Sequence, residues 1–282
     1  MPTATIAPRP AIVEDIIKMA ERYGDMLMQG LDTITSEQKT SQGDLVTPLD
    51  LAIQEGLTAD LSRLLDAPVL GEEHVVEGPI EPGLVWTIDP IDGTTNAAHG
   101  HPYSSVVITL LEDGAPVLAI VHNPFTDKTY HTYKGLGSYV RHLGADRALR
   151  PSLVQQLRTS LLSFGIWYDR SLADHTFEII REIFRHSQDI RRGGSAALDL
   201  SHVAAGSLDA HVEPIIHVWD AAGPSLILQE AGGMVTDWAG RPIRWERREQ
   251  ESSMVASNGV LHEELLAVIA SPDGAQSRPE NN

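Results

Sequence analysis

The chain has 282 residues, 42% of them hydrophobic, with no cysteine and a formal net charge of −18. That length supports a large core in one domain or two closely packed lobes, and the lack of cysteine excludes disulfides and cysteine-phosphatase chemistry. The negative charge argues against nucleic acid or an anionic membrane as partner, because both are held chiefly through Lys and Arg.

The first ten residues lack the apolar centre of a signal peptide, and no run approaches the ~20 apolar residues of a membrane span, so a cytoplasmic protein is expected. Ile12, Val13, Ile16, Ile17, Ala20, Tyr23, Met26 and Leu27 recur at helical spacing, and residues 48–65 give a second amphipathic helix. Ala67-Pro68-Val69-Leu70 reads as a strand, which places Glu72 and Glu73 at its end. Residues 84–88 are apolar and β-branched and read as a buried strand ending at Asp89. Pro90 is expected to stop its ladder, and Gly93 to permit a turn that a Cβ would resist.

The eight residues Asp89-Pro90-Ile91-Asp92-Gly93-Thr94-Thr95-Asn96 carry the most chemistry. Mg²⁺ prefers an octahedron of oxygens and takes one or two carboxylates alongside water and phosphate oxygens. Asp89 and Asp92 suit that role, while Ile91 offers only its carbonyl. A helix beginning near Thr94 or Thr95 would aim its first amides at an anion. An EF-hand is excluded, since position twelve counted from Asp89 is Gly100 instead of glutamate. No Gly-x-x-x-x-Gly-Lys-Ser/Thr loop is present, which argues against a nucleotide-driven kinase. His99 and His101 lack the further ligands of a zinc site.

Residues 104–111, 117–122, 129–133 and 137–141 are short β-rich runs separated by turn residues, the pattern of an antiparallel meander. A strand over 160–164, helices over 172–187 and 195–205, and a strand over 210–213 follow. Val218-Trp219-Asp220-Ala221-Ala222-Gly223 opens a helix that ends at Gly232-Gly233. Asp220 falls in its first turn, where the helix dipole favours negative charge. Pro224 is placed in that same turn, where a missing N–H costs nothing. Residues 271–282 are polar and expected to be disordered.

Four of these runs, Asp44-Leu45-Val46-Thr47-Pro48-Leu49-Asp50, Gly71-Glu72-Glu73, Trp86 to Asn96, and Trp219 to Gly223 with Glu230-Ala231-Gly232-Gly233, resemble in order and spacing the signatures of the inositol monophosphatase family. The resemblance implies an α/β (α+β) fold, an alternating αβαβα layered sandwich of the sugar-phosphatase type. Its N-terminal lobe, residues 1–150, would carry Glu72 and the Asp89 motif, and its C-terminal lobe, residues 151–270, the Asp220 motif. Glu72, Asp89, Asp92 and Asp220, with the Ile91 carbonyl, would hold two or three Mg²⁺ ions. Glu72 and Thr94 would position and activate the attacking water, and Asp50 would complete their hydrogen-bonded set or bind the weaker metal. The amides of Gly93 and Thr94 would hold the phosphate. Asp92, Gly194, Ser195, Ala196, Glu213 and Asp220 would face the substrate.

The implied reaction is Mg²⁺-dependent hydrolysis of a small polyol phosphomonoester by an activated water. Inositol 1-phosphate comes first, with histidinol phosphate or a sugar phosphate such as fructose 1,6-bisphosphate as alternatives. A nucleotide bisphosphate comes last, because the Glu213 carboxylate would repel a second phosphate. A homodimer and sensitivity to Li⁺ are implied as well. The reading from another class, a metal-binding protein without turnover, is opposed by the joint presence of Glu72, Asp89, Asp92, Thr94 and Asp220. Ala97-Ala98 stand where the family commonly has Phe, which is expected to remove an aromatic wall from the site. His99 falls where the family often carries a histidine. His74, Lys39, Arg191 and Arg192 are each open between a place at the site and a place on the surface.

Overall fold

The computed structural model describes residues 10–33, 37–38, 45–166 and 169–270; Lys39 and the tail 271–282 lie outside them. Helix α1 (Pro10–Gly30) turns Ile16, Ile17, Ala20 and Leu27 completely inward. A short antiparallel pair follows, β1 (Glu37–Gln38) with β2 (Leu45–Val46). Helix α2 (Pro48–Leu64) starts on a capping box. The Thr47 hydroxyl accepts the amides of Leu49 and Asp50, while the Asp50 carboxylate accepts the Thr47 amide at 2.8 Å.

The first sheet runs β3 (Val69–Gly71), β4 (Leu84–Asp92), β5 (Ser105–Glu112), β6 (Ala115–Asn123), β7 (Lys128–Tyr133), β8 (Ser138–His142) and β9 (Ala145–Ala148), in that spatial order. β3 lies parallel to β4, and all later neighbours are antiparallel, so the expected meander is present.

Strand β4 does not end at Asp89 as its sequence suggested. Its pairing passes from Asp89↔Val107 to Asp92↔Ser105, three steps on β4 against two on β5. Pro90, which has no N–H to give, is carried in this bulge. The extra residue has a structural consequence: residues three apart on a regular strand face opposite sides, and the bulge lets Asp89 and Asp92 face the same one.

After β4 comes the short helix α3 (Thr94–Ala98). The second sheet contains β10 (Leu161–Phe164), β11 (Asp189–Arg191), β12 (Ala210–His217), β13 (Met234–Thr236) and β14 (Glu251–Ser257), in the order β11-β10-β12-β14-β13. Four helices accompany it: α4 (Ala173–His186), α5 (Ala196–Ala204), α6 (Val218–Ala231) and α7 (His262–Ile269).

Three apolar cores define five layers. One joins α1 and α2 to the outer face of the first sheet through Ile16, Leu57, Trp86 and Ile108. A second joins the two sheets across α5 and α6 through Val107, Leu200, Ile227 and Met254. The third packs α4 and α7 on the far face of the second sheet through Ile179, Val212 and Leu265. The result is the αβαβα sandwich. α6 lies between two sheets and has buried residues all round, hence its lack of a polar face.

Because α6 begins at Val218, Pro224 falls in its second turn and not its first. Its ring removes the donor that would reach the Asp220 carbonyl. Among the described residues, no helix is long and apolar enough to cross a membrane.

Candidate active site

The β4 bulge and the first turn of α6 bring three carboxylates together. One oxygen from each of Asp89, Asp92 and Asp220 lies within 4.8 Å of the other two. Asp89 accepts the Ile91 amide at 2.9 Å, and Asp220 accepts the His217 amide at 3.4 Å. Asp92 is held from the start of α5 and from its own sheet. Its carboxylate accepts the amides of Ala197 at 2.9 Å and Ala196 at 3.2 Å, the Ser105 hydroxyl at 3.2 Å and the Ser195 hydroxyl. Those amides open α5, so Asp92 sits at the positive end of that helix.

The electrostatics of this trio are costly for the bare protein. Burial, followed by the charges of Glu72, Asp220 and Asp92, pushes Asp89 well above the usual carboxylate range. Burial and the charges of Glu72 and Asp92 do the same to Asp220. Burial takes Asp92 up to about 7 despite the hydrogen bonds from Ser195 and Ala197. Buried carboxylates facing other carboxylates need a cation or a proton to offset their desolvation. An all-oxygen donor set of this kind fits a hard divalent ion such as Mg²⁺ and lacks the nitrogen and sulfur that mark structural zinc.

The trio opens into a cavity of about 740 Å³ that also takes in Glu72, Ile91, Gly93, Thr94, Gly194, Ser195, Ala196 and Glu213. Of the residues expected to hold metal, water, phosphate or substrate, Asp50 alone does not line it. Glu72 follows β3, where its amide bonds the Ile88 carbonyl at 3.2 Å. It stands outside the 4.8 Å group although its charge is felt there. Asp50 is fully buried behind the cavity wall and reaches it through Thr94. The Thr94 hydroxyl lies 3.1 Å from Asp50 Oδ1 and 3.0 Å from the Ile91 carbonyl, and with one hydrogen it serves one of them at a time. Burial raises the Asp50 carboxyl, and the hydroxyl and amide of Thr47 pull it back. Gly93 caps α3 with φ 93°, and a Cβ there would meet the carbonyl oxygens of Gly194 and Tyr103 at 3.0 Å. This close approach lets the loop after β4 touch the loop before α5.

Several sequence ambiguities resolve by position. Ala97 is fully buried in the core under α1 and α2 and does not line the cavity, so the aromatic wall expected to be missing there is not a wall at all. Arg192 lines the cavity, whereas the exposed Arg191 bonds Asp189 at 2.5 Å. His74 is exposed in a loop with φ 62°. His99 caps α3 and is exposed, as is His101.

The structure also gives places to residues for which the sequence suggested no individual role. Asp199 of α5 lines the cavity and accepts the Tyr103 hydroxyl at 2.6 Å. His211 of β12, fully buried, contacts Glu213 at 2.9 Å and Ser163 at 2.8 Å. Asn96 donates to the carbonyls of Tyr103 at 2.6 Å and Gly193 at 3.0 Å, joining α3 to the loop before α5.

Comparison with known proteins places this geometry. The model of the inositol monophosphatase family matches residues 11–272. An inositol-1-monophosphatase of Synechocystis sp. is 34% identical over 236 residues, 83% of this chain and 79% of that protein. A Nus factor SuhB of Xylella fastidiosa is 31% identical over 96% of this chain and 99% of its own. A Thermotoga maritima fructose-1,6-bisphosphatase/inositol-1-monophosphatase is 32% identical, covering 90% of this chain and 93% of its own. The solved Thermotoga maritima IMPase is 30% identical and superposes with a TM-score of 0.81 over 92% of this chain and 96% of that one.

Proposed function

The chain belongs to the inositol monophosphatase family and is a phosphomonoesterase of that family, and from that premise we propose that it hydrolyses a small polyol phosphate, inositol 1-phosphate first, in the cavity between its two sheets. The observation that carries this reading is the Asp89, Asp92 and Asp220 trio facing a cavity with Thr94 and Glu213 on its walls.

Glu72, Asp89, Asp92, Asp220 and the Ile91 carbonyl are the groups that would hold Mg²⁺, two or three ions in all. Bound there, the ions supply positive charge to the attacking and leaving oxygens of an in-line displacement. The Thr94 hydroxyl donates its hydrogen bond to Asp50, which leaves the Thr94 oxygen able to accept a hydrogen bond from water. Glu72, on the same wall, orients that water from a second direction. The amides of Gly93 and Thr94, at the start of α3, hold the phosphate oxygens. Gly194, Ser195 and Ala196 face the leaving group, and Glu213 accepts from its hydroxyls. The two sheets then act as lobes, residues 1–150 bringing Glu72 and the Asp89 motif and residues 151–270 the Asp220 motif.

Histidinol phosphate and fructose 1,6-bisphosphate are the alternative substrates, the second supported by the name of the Thermotoga maritima relative. Initial rates on inositol 1-phosphate, histidinol phosphate and fructose 1,6-bisphosphate at one Mg²⁺ concentration test the order. A larger kcat/KM for either alternative would replace inositol 1-phosphate. A soluble cytoplasmic homodimer without a nucleic-acid partner completes the reading. The charge of −18 supports the last point, and the Nus factor name of the Xylella fastidiosa relative is the reason to test it by mixing the protein with RNA at physiological salt.

A further inference from the structure

Glu213 is gripped from two sides. On β12, residues 211 and 213 share a face by the two-residue period of a strand, and His211 Nε2 lies 2.9 Å from Glu213 Oε2. Opposite, Gly165 backs the carboxylate so closely that a Cβ there would sit 1.6 Å from Glu213 Oε1. The other edge of the His211 ring meets Ser163 Oγ at 2.8 Å and the Asp199 carboxylate at 3.6 Å. Asp199 is in turn anchored by the Tyr103 hydroxyl. Side-chain exposure is 12% for Glu213, 4% for Asp199 and 1% for His211 between them. The imidazole is therefore sealed behind the cavity wall, while the Glu213 and Asp199 carboxylates beside it line the cavity.

We propose that His211 is a positioning residue that fixes the Glu213 carboxylate toward the leaving-group end of the cavity, and so sets affinity for a hydroxyl-bearing leaving group without taking part at phosphorus. The inference rests on the reading of Glu213 as a group that faces substrate hydroxyls. Burial alone would weaken the imidazolium, but the Glu213 hydrogen bond with the charges of Glu213, Asp199 and Asp92 outweighs it and holds His211 above its ordinary value. A hydrogen bond from an imidazole N–H to a carboxylate is of the stronger, charge-assisted kind. Without it, Glu213 loses the contact that selects one rotamer.

The test uses the full chain with Mg²⁺ and two substrates, inositol 1-phosphate and 4-nitrophenyl phosphate, whose leaving group carries no sugar-like hydroxyls. For His211→Phe we expect KM for inositol 1-phosphate to rise about 10-fold, as for loss of one charged hydrogen bond. Its kcat, and both constants on 4-nitrophenyl phosphate, should stay within about twofold on the same scale. His211→Gln places an amide N–H near the position of Nε2 and should restore KM, while His211→Asn reaches only the position of Nδ1 and should not. In a Glu213→Gln background, His211→Phe should add nothing. Equal loss on both substrates, additive effects in the double variant, or equal rescue by Gln and Asn would overturn the proposal. Imidazole ¹⁵N shifts provide a readout that needs no substrate. The His211 ring should titrate above the ordinary imidazole value, and its midpoint should fall in Glu213→Gln. If the shifts behave so but wild-type protein ignores inositol 1-phosphate, the substrate reading fails and the His211–Glu213 coupling stands. If the shifts are unchanged in Glu213→Gln, the coupling itself is wrong.

Discussion

The carboxylate of Asp92 accepts the amide of Ala197 at 2.9 Å, so one residue of the first sheet is both a member of the acidic trio and the anion at the start of α5. The run Gly194 to Ala196, proposed to face the substrate, is thereby located relative to the acidic trio by a hydrogen bond to one of the proposed metal ligands. On the proposed reading, activity and stability are coupled through the same few atoms.

Asp89→Asn should separate the two. Asp89 is buried among like charges, so replacing it by a neutral isostere relieves repulsion in the metal-free protein. We expect a higher melting temperature in EDTA together with a turnover at least ~10²-fold lower, the scale of losing a principal catalytic electrostatic contact. A lower melting temperature with turnover retained would show that the trio is not an electrostatic load.

Gly165→Ala addresses the leaving-group end. The backbone at Gly165 does not require glycine by its φ, but the added Cβ would occupy the place of Glu213 Oε1. Glu213 must swing away, and KM for a polyol phosphate should rise by about 10-fold with kcat little changed, equivalent to one lost charged hydrogen bond. Unchanged KM would remove Glu213 from substrate recognition.

Thr47→Ala opens the capping box of α2. The cap is worth about 1 kcal/mol, measurable by urea denaturation, and Thr47→Ser should retain it. Thr47 also supplies two of the hydrogen bonds that orient Asp50, at 2.8 Å from its amide and 2.5 Å from its hydroxyl. Turnover of the Ala variant should therefore fall more than its stability loss explains. Full activity at a temperature where the variant remains folded would mean that Asp50 does not act through Thr94.

What the sequence made legible follows from how local each signal is. Asp89, Asp92 and Thr94 lie within six residues of one another, and their neighbours Pro90 and Gly93 announce a backbone irregularity. The meander was equally plain, since its turns fall at Asp113-Gly114, Asn123-Pro124 and Lys134-Gly135. Asp199 and His211 escaped because their partners, Tyr103 and Ser163, are 96 and 48 residues away in sequence. A signal existed in each case: Asp199 is a charge between the buried Leu198 and Leu200, and His211 stands two residues before Glu213 on a strand. Ala97 was misplaced because a motif gives proximity in the chain without the phase of the helix it enters. The same limit misplaced Pro224, whose turn depends on where α6 starts.

Acid sensitivity should come in part from His122. It is 3% exposed, and burial lowers it from 6.5 to about 4. The unfolded chain therefore binds this proton between pH 6.5 and 4 while the native protein does not, and stability must fall as pH drops through that window. The slope contributed by one such group is at most ~1.4 kcal/mol per pH unit. Urea denaturation of wild type and His122→Gln, in EDTA at pH 7.0, 5.5 and 4.5, isolates it. The variant should lose less stability on acidification, and parallel curves would assign the sensitivity elsewhere.

The trio is proposed to work by holding Mg²⁺ over a phosphomonoester. Phosphate release from inositol 1-phosphate should be measured for wild type with Mg²⁺, for wild type in EDTA, and for Asp220→Asn with Mg²⁺. Turnover in the first, none in the second until Mg²⁺ is restored, and a rate at least ~10²-fold lower in the third are expected. Turnover that survives EDTA, or a wild-type rate from Asp220→Asn, would contradict it.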